Sequence, residues 1–189
     1  NGDHAENSSC NYVSTFNGTS SSAPSVSGVV ALMLEANPNL TWRDVKHILA
    51  TTADVVDSDR SASLDGINMY EWETNAAGYK HHNWYGFGKV DAAEAVTTAA
   101  SYTANSRGTF VSTGYQSSGV INQAVTYPNN STNTISITKP SGSNDFVEFV
   151  RVTLKFNHAS PEDIGIRLLS PDGTVINIKI GRASCRERV

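Results

Sequence analysis

The chain has 189 residues, room for one domain or parts of two, and its 39% hydrophobic content with only 17% charged residues argues against wholesale disorder. Lys and Arg number 14 against 18 Asp and Glu, for a formal charge of −4, so no basic footprint for nucleic acid is present. No apolar run reaches the roughly 18 residues that a membrane-spanning helix needs.

Residues 1–19 read as loop with a short approach strand at 12–16. A buried helix is expected over 20–36, because the run from Val26 to Leu34 is almost wholly apolar. Pro24 is read as part of its first turn, where no donor is needed, and Pro38 stops it. Thr41 followed three residues later by Asp44 is an N-cap pattern. The helix it opens, 42–51, places Trp42, Val45, Ile48 and Leu49 on one face. Residues 54–84 read as irregular, with Gly66 and Gly78, and a short helix is expected over 91–100.

Composition changes after Tyr102, and 103–108 reads as a linker. Beyond it the helical spacing disappears. Val150, Val152, Leu154 and Phe156 alternate with Arg151, Thr153 and Lys155, the pattern of a half-buried strand. Ile164, Ile166 and Leu168 alternate again. Ser170-Pro171-Asp172-Gly173-Thr174 is a tight-turn sequence, and 175–178 supplies the return strand. This half reads as an all-β module. Residues 180–189 then turn abruptly Arg-rich. They are read as the translation of a sequencing adapter, outside the fold, against the alternative of a genuine charged tail.

The chemistry is concentrated in Gly18-Thr19-Ser20-Ser21-Ser22-Ala23-Pro24. The first N–H groups of a helix have no internal partner and carry the positive end of its dipole. A serine placed there presents its hydroxyl, and its own N–H is free to stabilise an oxyanion. Gly18 admits a substrate without side-chain obstruction. The plainer reading of such a segment is a cap and a loop.

The whole segment, continued by Gly28 and an apolar helix, resembles the nucleophile segment of subtilisin-like serine proteases. In that family the first serine after Gly-Thr is the nucleophile, which assigns the role to Ser20 rather than Ser21 or Ser22. Leu34-Glu35-Ala36-Asn37-Pro38-Asn39-Leu40-Thr41-Trp42-Arg43-Asp44-Val45 resembles the following segment in the kexin/furin-like proprotein convertases. Trp72-Glu73-Thr74-Asn75 and Tyr85-Gly86-Phe87-Gly88-Lys89-Val90-Asp91-Ala92 resemble the close of their catalytic domain. The run around Ile166-Arg167-Leu168-Leu169-Ser170-Pro171-Asp172-Gly173-Thr174 is similar to the P domain that follows it.

The resemblance implies an α/β fold: part of a subtilisin-like catalytic domain over 1–103, then the first part of an all-β P-domain sandwich over 104–179. It implies a serine endopeptidase acting on peptide or protein substrates through an acyl-enzyme, secreted, periplasmic or in the secretory-pathway lumen. The triad order Asp, His, Ser puts the acid, the base and the oxyanion Asn upstream of this chain. His4, His47, His81, His82 and His158 match no catalytic position, and Asn17 reads as loop structure. The chain as given is therefore expected to be inactive. No cofactor is expected in it, while calcium is implied for the full-length enzyme with ligands upstream. The resemblance also suggests that Cys10 pairs with an upstream cysteine; a buried free thiol remains the alternative. Asn7, Asn17, Asn39 and Asn130 head glycosylation sequons. The rival readings are a sedolisin-like acid protease, with a Glu base, and a pseudoprotease or adhesion module that keeps the fold for binding.

Overall fold

The computed structural model describes residues 16, 18–60, 63–64, 67–68, 70–112, 114, 147–154, 161 and 164–179. The approach strand at 12–15, Asn7, Cys10, Asn17, Asn130, His4, His158, Gly66 and the tail 180–189 lie outside them. By internal packing the chain divides into two units, 1–108 with 158–189, and 109–157.

The first unit holds three helices: α1 Thr19–Ala36, α2 Trp42–Thr51 and α3 Ala92–Ser101. α2 starts where the sequence places it, because Thr41 and Asp44 form a reciprocal capping box. The Asp44 N–H reaches the Thr41 hydroxyl at 3.3 Å, and the Thr41 N–H reaches the Asp44 carboxylate at 2.8 Å. Asp91 caps α3 by accepting from the Glu94 N–H at 2.8 Å. The core comprises Met33, Leu40, Val45, Ile48, Ala95 and Ala99, with Val29, Val30, Leu49, Val96 and Tyr102 packed around it. Ala95 and Ala99 carry small side chains, which suit the close approach of α3. Met33 and Ile48 are fully buried, each contributing about 1.5–3 kcal/mol of transfer energy. The Asn37 amide closes the layer, donating to the carbonyls of Ala99 and Tyr102 at 3.0 Å each.

Two helical expectations are corrected. α1 is not buried along its length: Met33 is its one fully buried residue, while Leu32 and Leu34 are exposed. A helix apolar all round buries only the side that meets a partner, and here that partner is α3. Trp42 is 62% exposed rather than part of the buried face of α2. The Lys46 ammonium, one helical turn on, lies 5.6 Å from the centre of its ring.

The described strands form three antiparallel ribbons: β1 Ser63–Leu64 with β2 Ile67–Asn68, β3 Glu73–Thr74 with β4 Lys80–His81, and β5 Ile166–Leu169 with β6 Val175–Lys179. β3 and β4 meet through Asn75, whose side-chain oxygen accepts from the Ala77 and Tyr79 N–H groups at 3.0 and 2.9 Å. The 170–174 turn forms as its sequence predicts. The Gly173 N–H donates to the Ser170 carbonyl at 3.0 Å, and Gly173 takes a φ of +92°. Ser170 and Thr174 hydroxyls both donate to Asp172, and these bonds hold its carboxyl below the usual range.

The segment read as irregular, 54–84, contains a second small cluster. Tyr70 and Trp84 lie 4.3 Å apart, and His82 lies 4.7 Å from Tyr85 and 5.3 Å from Trp72. The Trp72 indole donates to the Val56 carbonyl at 3.1 Å. The Arg60 guanidinium caps the Trp84 ring at 4.7 Å.

The second unit is described at 109–112, 114 and 147–154. The strand expected at 149–156 is not found over its described part, 149–154. Phe149, Val150 and Leu154 are exposed at 60%, 52% and 44%, and no strand pairs with them among the described residues. Alternation creates a candidate face, but a strand also needs a neighbour to complete its hydrogen-bond ladder.

Candidate active site

Ser20 lies in the first turn of α1 and is exposed. Gly18 stands at the N-cap with φ +82° and ψ −179°, a backbone conformation open essentially to glycine alone. No side chain caps this end, so the first-turn N–H groups lack the carboxylate or hydroxyl acceptor that opens α2. The Ser21 N–H reaches the Gly18 carbonyl at 3.1 Å. Pro24 sits inside the helix rather than in its first turn, a correction to the sequence reading. Having no N–H, it cannot donate to the carbonyl four residues back, that of Ser20.

The neighbouring serines are distinguished by their hydrogen bonds. The Ser22 hydroxyl turns back onto the Thr19 carbonyl at 3.1 Å. Ser25 and Ser27 do the same to Ser21 and Ala23, each at 3.1 Å. Among the described residues no such bond ties down the Ser20 or Ser21 hydroxyl. The local geometry therefore offers an exposed serine beside helix-start N–H donors, two of the parts that acyl transfer requires; a base for the hydroxyl proton is a third.

Each described histidine has its own structural place. His47 Nδ1 lies 2.9 Å from the Arg107 guanidinium. His81 meets the Phe87 ring edge-on at 5.5 Å. Burial, then the nearby His82, holds the His81 imidazole below its usual protonation range. His82 is fully buried, and its Nδ1 accepts from the Trp84 N–H at 3.0 Å. None is hydrogen-bonded to Ser20 among the described residues. No group of three or more His, Cys, Asp or Glu able to hold a metal occurs among them either. No described helix is long and apolar enough to cross a membrane.

The sequence reading missed a network on α2. Asp44 is fully buried, and besides Thr41 it accepts from the Asn105 N–H at 2.9 Å. Burial pushes its carboxyl up, but bonds from Asn105 and Thr41, with the Arg43 charge, outweigh this and hold it below 3.8. The Arg43 guanidinium donates to the carbonyls of Arg107 and Gly108. The signal available in the sequence was Arg43, Asp44 and His47 on neighbouring turns of one helix, but their partners lie some 60 residues away.

Residues 3–88 match the Subtilase family. The chain is 37% identical over 166 residues to human Proprotein convertase subtilisin/kexin type 5, covering 83% of this chain and 8% of that protein. It is 32% identical over 177 residues to the Aeromonas extracellular serine protease of Aeromonas sobria, covering 88% of this chain and 28% of that one. Among solved structures it is similar to the Aeromonas sobria serine protease in complex with its chaperone. That likeness has 35% identity and a TM-score of 0.47, and covers 55% of this chain and 19% of the other. Residues 3–88 thus carry the match to the subtilase family, and the chain as a whole is similar to proprotein convertases. It spans a small part of the length of these relatives.

Proposed function

We propose that this chain is part of a kexin-like serine endopeptidase in which Ser20 is the nucleophile. The observation that supports this most is the position of Ser20. It lies inside the matched subtilase region, at an uncapped helix start, with its hydroxyl not turned back onto the helix as Ser22's is.

In this reading the Ser20 hydroxyl attacks the carbonyl carbon of the scissile peptide bond. A base outside this chain takes its proton, and the Ser20 N–H donates to the oxyanion as the tetrahedral intermediate forms. Collapse expels the amine and leaves an acyl-Ser20 ester, which water then hydrolyses. Gly18 keeps the approach to Ser20 free of a side chain. The substrates are peptides or proteins, and the setting is secreted, periplasmic or luminal. Residues 104–179 belong to the start of a P domain in this proposal, supported by the turn and ribbon at 166–179. Calcium would bind the complete enzyme through residues outside this chain; no described residue is given that role.

Two measurements test the reading. The 189-residue chain, given a fluorogenic peptide, is expected to show no turnover that a serine-directed inhibitor abolishes. In the complete enzyme a fluorophosphonate is expected to label Ser20, and Ser20→Ala to lower kcat by roughly 10⁶, the loss observed for the nucleophile of subtilisin itself. A label on Ser21 or Ser22, or retained activity in Ser20→Ala, overturns the assignment.

A further inference from the structure

The connection between α1 and α2 is short and held at both ends, and the fold treats its two asparagines differently. α1 ends at Ala36, and Asn37, Pro38 and Asn39 lead to Leu40. Asn37 is tied inward. Its amide nitrogen donates to the carbonyls of Ala99 and Tyr102 at 3.0 Å each, which uses both of its protons, and its side-chain oxygen accepts from the Asn39 N–H at 3.3 Å. Leu40 anchors the other end in the helical core, and its N–H reaches the Asn37 carbonyl at 3.3 Å. Pro38 and Asn39 project between these anchors, and both are exposed. Asn39 bonds through its backbone N–H, while its carboxamide engages none of the described residues.

Asn39 also heads Asn39-Leu40-Thr41, an asparagine two residues before a threonine with no proline between them. That triplet is the acceptor sequence for an N-linked glycan, a bulky group that belongs on a surface. Such triplets are common by chance, and placement in the fold separates a usable one from the rest. Here the carboxamide has no partner that a sugar would displace. The backbone on either side is fixed, so a glycan adds its bulk outward without rearranging the core. Thr41 still closes the capping box of α2 with Asp44. The place is also remote from Ser20. α1 has 18 residues, a length of about 27 Å at roughly 1.5 Å per residue, with Ser20 in its first turn and Asn39 beyond its last.

We propose that Asn39 is an acceptor for an N-linked glycan, at the end of α1 opposite Ser20. In the transfer, Nδ2 of Asn39 gives up one proton to a base of the transferase and bonds the anomeric carbon of a glycan carried on a lipid pyrophosphate. The bond from that carbon to the phosphate oxygen breaks, and its electron pair leaves with the lipid pyrophosphate. The glycan leaves the approach to Ser20 open. Its addition in nature rests on the secretory-lumen setting proposed above.

The site is tested apart from that setting by directing the 189-residue chain through the secretory pathway of a eukaryotic host that glycosylates, and recovering the secreted protein. Enzymatic release of glycans in heavy-oxygen water labels each asparagine that carried one, and peptide-level mass spectrometry then reads Asn39 separately from Asn7, Asn17 and Asn130, which head the other triplets. The Asn39 peptide is expected to carry the label in most copies of soluble, monomeric protein, and Asn39→Gln to abolish it at that peptide alone. Secreted wild-type chain whose Asn39 peptide is unlabelled overturns the proposal. So does a label confined to aggregated protein, since the glycan would then be incompatible with the fold. A label at Asn39 in the host, with a bare Asn39 in protein from the natural source, counts against the setting and leaves the acceptor site standing.

Discussion

Single residues in this chain are constrained by backbone as much as by side chain. Gly88 is the sharpest case. It has φ +128°, and a Cβ there would sit 2.2 Å from the Asp54 carbonyl oxygen. That contact is fixed by the bridge between Asp54 and Lys89, whose reciprocal backbone bonds are 2.8 and 2.9 Å. Gly88→Ala therefore faces both an unfavourable φ and a clash with backbone that cannot rotate away. It is expected to destabilise the fold by at least about 2–3 kcal/mol, read as a lowered midpoint in urea. Gly18 differs: a Cβ there meets nothing within 4 Å, so its constraint is conformational alone. The Lys89–Asp54 ion pair at 3.0 Å adds little, since both side chains are largely exposed; its loss is worth about 1 kcal/mol or less.

Among the elements, α2 depends most on one local device. Thr41 both accepts from the Asp44 N–H and donates its hydroxyl to the Asp44 carboxylate at 2.7 Å. Thr41→Ala removes the cap and is expected to cost about 1 kcal/mol by thermal or urea unfolding, within a range of roughly 0.5–2. The same device makes α2 sensitive to acid with a definite sign. The folded Asp44 carboxyl is held below its ordinary value, so the unfolded chain takes up the proton first. Its stabilisation is present above about pH 3.9 and is lost as pH falls through the lowered folded value. Unfolding scans of the wild type are expected to show that acid loss, and Asp44→Asn to be weaker at neutral pH but less dependent on acid. Equal acid sensitivity in both proteins would remove Asp44 from the explanation.

At the scale of the molecule, a second acid window opens at higher pH. His81 is half-buried on β4, and burial, with the neighbouring His82, depresses its imidazole below 6.5. The unfolded chain then binds the proton first. Stability carried by the neutral ring is complete above about pH 6.5 and declines as pH drops toward the folded value. His81→Gln is expected to narrow the difference in thermal midpoint between pH 7.5 and 5.5; an unchanged difference would exclude His81. What the sequence by itself determined is local and contiguous. The helices at 19–36, 42–51 and 92–101 were legible from apolar spacing and from Thr41 with Asp44, because capping and periodicity act within a few residues. The 170–174 turn was legible for the same reason. The place of Ser20 at a helix start was readable from the segment after Gly18, and the likeness to subtilases was readable from ordered motifs. The tertiary structure alone decided which apolar surface finds a partner. Val26 to Leu34 read as buried, yet mainly the side toward Ala95 and Ala99 is covered. Residues 149–154 alternated correctly, yet no ladder forms there among the described residues. The network on α2 was invisible for a related reason: Arg43, Asp44 and His47 meet residues some 60 positions away, and nothing within a local window reports a contact that only the path of the folded chain creates.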